Sequence, residues 1–142
     1  MTGPTSLDLT IRNDLAEIGR LAAAVEDFCE ARGLGDGIAH ALNLALDELL
    51  VNTISYGYDD AGDHEIAVSL TAGDGRVTMT IRDDARAFDP TLAPDPDIDA
   101  ELEDRPIGGL GIHIVRAMMD EIGYQRVDGC NQLTLTKRVD AS

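Results

Sequence analysis

Four stretches of this 142-residue chain carry side chains that can do chemistry together. Glu48 and Asn52 stand four residues apart. Asp83 opens Asp83-Asp84-Ala85-Arg86-Ala87-Phe88-Asp89-Pro90, Arg105 precedes Pro106, and Gly108-Gly109-Leu110-Gly111 leads into an apolar, helically spaced run. On a helix, an i, i+4 carboxylate and amide lie side by side. Such a pair either rims an apolar stripe or, beside a pocket, orients a hydroxyl or water and holds Mg2+ against phosphates. An acid at the end of a strand either caps a turn or accepts a hydrogen from the exocyclic amine of a base. Glycines where a loop becomes a helix either cap it or offer unpaired amides and the helix dipole to phosphate. This run is not a Walker loop, for want of a Lys-Ser or Lys-Thr pair, and not a dinucleotide fingerprint. Arg105 is either a phosphate clamp or a solvated charge.

The elements that must position these residues follow from periodicity. Leu7, Leu9 and Ile11 alternate with polar residues, which predicts a strand with one buried face. From Leu15, apolar residues at Ile18, Leu21, Val25, Phe28 and Cys29 predict an amphipathic helix ending at Arg32-Gly33. A second helix is expected from about Asp36 to Ser55, with Ile38, Leu42, Ala45, Leu46, Leu49 and Thr53 on its stripe. At about 100° per residue, Asn52 and Glu48 fall on one edge of that stripe and Asp47 points away. Ile66, Val68 and Leu70, an Ala72-Gly73-Asp74-Gly75 turn, then Val77, Met79 and Ile81 predict a hairpin that delivers Asp83 at its end. Residues 85 to 107 hold Pro90, Pro94, Pro96 and Pro106 and show neither period, which predicts a long functional or mobile loop. Phe88 is expected to pack its root. Ile112, Val115, Met118, Met119 and Ile122 keep helical spacing, and a last hairpin turns at Asp128-Gly129.

One-faced strands with helices between them predict a two-layer α/β (α+β) sandwich, its mostly antiparallel sheet covered on one face by helices. The length and 44% hydrophobic content fit one domain over residues 1–142. With 27 acidic against 11 basic residues the net charge is −16, which argues against nucleic acid or an anionic membrane as direct partner and for a protein surface. No apolar run reaches the roughly 20 residues of a membrane span, and no targeting segment opens the chain, so a cytoplasmic protein is expected. Cys29 and Cys130 read as reduced, Cys29 as core. His40, His64 and His113 lack catalytic or metal-binding companions and read as surface or structural.

Taken in order, Glu48 to Asn52 with Tyr56-Gly57-Tyr58, then Asp83 to Pro90, then Pro106 to Ile112, resemble the GHKL (histidine kinase-like) ATPase superfamily. Within it the chain is similar to the bacterial anti-sigma factor and serine-protein kinase branch. The resemblance covers nearly the whole chain. It implies a Bergerat fold holding ATP and Mg2+ under a lid at about residues 85–107. It implies Glu48 as general base, Asn52 as the Mg2+ ligand and Asp83 as reader of the adenine amine. Gly109, Leu110 and Gly111, with Gly108 before them, would wrap the phosphates, and Thr134 on the final hairpin would help to hold the adenine. The activity implied is serine/threonine-protein kinase activity on an anti-anti-sigma (antagonist) protein. A non-catalytic nucleotide-binding anti-sigma or other partner-switch binding module is the alternative, and a sigma factor is among the partners that the resemblance allows. Relatives of this type commonly form homodimers. Two residues depart from the pattern: Ala85 replaces a glycine and tolerates positive φ poorly, so a different turn is expected there, and Tyr56 replaces a histidine.

Overall fold

A computed structural model describes residues 6–58, 62–89 and 115–139. In chain order the elements are β1 (Ser6–Arg12), α1 (Glu17–Ala31), α2 (Asp36–Tyr56), β2 (Glu65–Gly73), β3 (Arg76–Asp83), β4 (Glu121–Val127) and β5 (Cys130–Arg138). The two hairpins close as the Asp-Gly pairs dictate. Asp74 and Gly75 have φ 54° and 75°, Asp128 and Gly129 51° and 79°. Positive φ at both central residues is the turn whose twist matches that of paired strands. The hairpins join through β3 and β5 into an antiparallel five-stranded sheet of order β1-β2-β3-β5-β4.

Alternation decides which face is dry. Register places Leu9 beside Val68, Val68 beside Ile81, Ile81 beside Leu133 and Leu133 beside Tyr124. That row lies on the helix-covered face. The two helices supply Leu21, Val25, Phe28 and Cys29 from α1, and Ala41, Leu42, Ala45, Leu46, Leu49 and Leu50 from α2. Cys29 is therefore core, and both cysteines are free. Ala41 and Leu50 widen the expected α2 stripe, because α2 buries one flank on the sheet and another on α1. Val25, Leu42 and Leu50 have no exposed surface, and burying each such side chain contributes about 1.5–3 kcal/mol.

Helix boundaries also have local causes. Leu34 N donates to Cys29 O and Gly33 N to Glu30 O, with Gly33 at φ 71°, so α1 ends in a Schellman motif that needs the glycine. At the other end of α1, Asp14 Oδ1 accepts from Ala16 N and Glu17 Oε1 from Arg12 N. One expected boundary is corrected. The helical spacing from Val115 does not run to Ile122: residues 115–118 are helical, Met119 is buried, and Ile122 lies in β4 opposite Leu135. Ile122 alternates with Tyr124, and pairing with β5 outweighs the 3.6-residue spacing. Among the described residues, no helix is long and apolar enough to cross a membrane.

Candidate functional site

A cavity of about 250 Å3 opens where the last turns of α2 pass over the ends of β3 and β5. Leu49, Asn52, Thr53 and Gly57 of the α2 side line it, with Ile81 and Asp83 from β3, Asn131 and Leu133 from β5, Tyr124 from β4, and residues 85–88 across the mouth. The helical count holds: Asp47 is exposed, while Glu48 and Asn52 are half-buried. Asn52 and Asp83 thus meet on one cavity. Glu48 sits one turn before Asn52 and does not itself line the cavity among the described residues. Arg105, Gly108, Gly109, Leu110 and Gly111 lie outside the described residues, as do His113 and residues 90–107 of the expected lid.

Asp83 is the buried carboxylate of the site. It is 7% exposed, and its alternation with Ile81 points it at the helices. Ala85 N donates to its Oδ1 at 3.1 Å and Asn131 Nδ2 donates to the same oxygen at 2.9 Å. Among the described residues nothing bonds Oδ2, which leaves that oxygen for whatever enters the cavity. Burial pushes the Asp83 carboxyl above the usual carboxylate range, helped by the Asp84 charge. The bonds from Asn131 and Ala85 and the Arg126 charge pull the other way without cancelling it. A fold that buries an acid with half its acceptor capacity unused loses stability. Such a cost is typical of a binding site.

Asn131 is the residue that sequence reasoning missed. Its Oδ1 accepts from Tyr124 Oη (2.6 Å), Arg126 Nη1 (3.0 Å) and Phe88 N (3.3 Å), while its Nδ2 donates to Asp83 Oδ1 and to Arg86 O (2.9 Å each). One amide thus joins β3, β4, β5 and the segment after Asp83. The signal was present: Asn131 is in phase with Leu133 and Leu135, so it faces inward. The same alternation corrects Thr134. It lies between Leu133 and Leu135, pairs with Thr80 and Gly123, and faces away from Asp83, so it does not line the cavity. The β5 residues that do are Asn131 and Leu133.

Ala85 adopts no left-handed turn. Among the described non-glycine residues only Asp74 and Asp128 have positive φ. Its methyl is buried against Gly57, whose O accepts from Arg86 N at 2.9 Å. A Cβ on Gly57 would stand 2.5 Å from Thr53 O and 2.9 Å from Ala85 Cβ. Gly57→Ala should therefore lower stability by about 1–3 kcal/mol, read by denaturant unfolding. Adding Ala85→Gly should restore only the share due to the methyl–methyl clash. Phe88, expected to pack the loop root, is 41% exposed and lines the cavity mouth. His64 is structural: it stacks on Tyr58 with centroids 4.3 Å apart, and its Nδ1 lies 3.1 Å from Asp84 Oδ2.

The family model for the histidine kinase-like ATPase domain matches residues 11–137. The chain is 39% identical over 97 residues, 67% of either protein, to the serine/threonine-protein kinase BtrW of Bordetella bronchiseptica. It is 21% identical over 139 residues to the serine-protein kinase RsbW of Listeria monocytogenes, covering 95% of this chain and 87% of that one. Its fold is similar to the solved structure of the RsbU and RsbW domains of Rv1364c from Mycobacterium tuberculosis. The TM-score there is 0.66 at 17% identity, over 96% of this chain and 33% of that much longer one. A match running from the end of β1 to the end of β5 makes this chain a member of the histidine kinase-like ATPase family.

Proposed function

We propose that this chain is a cytoplasmic, ATP- and Mg2+-dependent serine/threonine-protein kinase of a partner-switching circuit. It transfers the γ-phosphoryl group of ATP to a small anti-anti-sigma protein, and a sigma factor is the other protein it holds. The observation that carries the reading is Asp83, buried with Oδ1 occupied and Oδ2 left to the cavity. An acceptor so placed suits the exocyclic amine of adenine. The kinase names of BtrW and RsbW support the same reading. The cavity, at about 250 Å3, is smaller than the roughly 300–1,000 Å3 that encloses a whole drug-sized ligand. That size suits the base end of a nucleotide, with the phosphates extending toward Asn52.

Among the described residues no group of three or more His, Cys, Asp or Glu is placed to hold a metal ion. Mg2+ commonly takes one or two protein ligands and completes its shell with phosphates and water. Asn52, which lines the cavity, would hold the ion through its amide oxygen. Bound there, Mg2+ would neutralise charge on the phosphates. The protein's own part is to position and to take a proton. Glu48 accepts the proton of the partner's serine or threonine hydroxyl, that oxygen bonds to the γ-phosphorus, and the bond to the β–γ bridging oxygen breaks to release ADP. Arg105 and residues 108–111 are proposed to hold the phosphates.

Mixing the protein with γ-labelled ATP, Mg2+ and an anti-anti-sigma protein tests the reading. Label on a serine or threonine of the partner is the expected result. A stable complex without transfer would make the chain a nucleotide-binding switch instead. Asn52→Ala should weaken ATP about tenfold with Mg2+ present and change it little in EDTA, measured by equilibrium titration. Equal losses in both would remove Asn52 as a metal ligand.

A further inference from the structure

The Asp83 carboxylate and the Arg126 guanidinium have fixed and opposite hydrogen-bonding characters. The first only accepts and the second only donates. Asn131, opposite Asp83 on one side and opposite Arg126 on the other, stands between them in the sheet. Arg126 Nη1 donates to Asn131 Oδ1 at 3.0 Å, and Asn131 Nδ2 donates to Asp83 Oδ1 at 2.9 Å. The amide can satisfy both neighbours in one orientation only. The same Nη1 also donates to Ala85 O at 2.9 Å, on the segment that leaves Asp83. Arg126 therefore holds both groups that engage Asp83 Oδ1: the Asn131 amide and the residue whose N–H supplies the second bond.

We propose that Arg126 is a positioning residue of the nucleotide site, fixing Asn131 and the Ala85 peptide so that Asp83 presents Oδ2 to the base. The inference rests on the nucleotide reading above. Charge works in the same direction as geometry: the Arg126 cation favours the ionised form of Asp83 against the cost of burial. Arg126 sits on β4, an edge strand, and is exposed, so its role is not that of a core residue. Arg126 does not line the cavity among the described residues; its hydrogen bonds reach two residues that do, Asn131 and Ala85. Its effect should thus pass through Asp83 and fall on the base, not on the γ-phosphate.

The test is equilibrium titration of the full chain with ATP and with ADP, for Arg126→Met and Arg126→Lys, alone and combined with Asp83→Asn. Arg126→Met should raise both dissociation constants about tenfold with their ratio unchanged, and should raise KM for ATP while leaving kcat within about twofold. Arg126→Lys, which keeps the charge but loses the fork, should fall between Met and wild type. In the Asp83→Asn background the Met change should add less than twofold, because the interaction it supports is gone. A merely structural role would cost the same in both backgrounds. If Arg126→Met melts out of the fold, Arg126→Lys carries the test, with a rise of about threefold expected and no rise overturning it. Binding unchanged in Arg126→Met while Asp83→Asn abolishes it would overturn the inference and leave the nucleotide reading intact. Failure of the unmodified protein to bind ATP would instead overturn that reading.

Discussion

Glu48→Gln should leave ATP bound within about tenfold of the unmodified protein while phosphate transfer to the partner falls by a hundredfold or more. A positioned general base contributes roughly 10²–10⁴ in rate, and a hundredfold corresponds to about 2.7 kcal/mol of transition-state free energy. The substitution keeps the size and hydrogen-bonding reach of the side chain and removes only its capacity to take a proton. Glu48 is half-buried one turn before Asn52, on the same side of α2, and does not line the cavity that would take the base. Its loss should therefore spare nucleotide affinity. Single-turnover transfer from labelled ATP and a parallel titration separate the two quantities. Equal losses of binding and transfer would make Glu48 a structural residue of α2.

The parts of this site that were legible in the sequence are those set by local periodicity. Glu48, Asn52 and Asp47 followed from 100° steps along one helix, and their exposures agree. The Asp-Gly turns followed because two successive positive φ values are tolerated best by such pairs. The place of Asp83 at the end of β3 followed from the alternation of Val77, Met79 and Ile81, while the choice of its role toward a base came only from the resemblance. What was not legible depends on which strands become neighbours. Asn131 and Arg126 act only because β5 lies between β3 and β4, bringing three polar residues into one row across the inner face. From the sequence alone, two polar residues flanking a Gly-containing turn look like ordinary hairpin surface. Thr134 fails for a different reason. The alternation that marks Leu133 and Leu135 as inward already sends Thr134 outward, and a motif-based assignment overrode that period. Ala85 shows the reverse: the position takes a negative φ, and the space its methyl needs is left by Gly57, twenty-eight residues earlier in the chain.

Asp83→Asn should weaken ATP by roughly tenfold to a hundredfold, and at neutral pH it should make the unliganded protein more stable. The two effects have one cause. Asn Oδ1 can still accept from Ala85 N and Asn131 Nδ2, so the internal bonds of the site survive. The atom facing the cavity changes from an acceptor to a donor, which meets the adenine amine donor to donor. Leaving that pair unmade costs about 1–3 kcal/mol, or about one to two decades in Kd. The stability effect follows from linkage. Burial raises the Asp83 carboxyl in the folded state above its unfolded value. Above the folded pKa the group is ionised in both states and the fold bears the full cost of burying the charge. As pH falls through the folded pKa toward the unfolded value near 4, the native carboxyl takes up its proton first and the cost disappears. The advantage of Asp83→Asn in thermal melts should therefore be largest near pH 7 and should shrink on acidification through that window. GTP gives the complementary readout: guanine presents an oxygen where adenine presents its amine, so the preference of the unmodified protein for ATP over GTP should narrow in the variant. An unmodified protein that binds both nucleotides equally, or a variant that binds ATP as well as its parent does, would remove Asp83 from base recognition and leave its burial without a function.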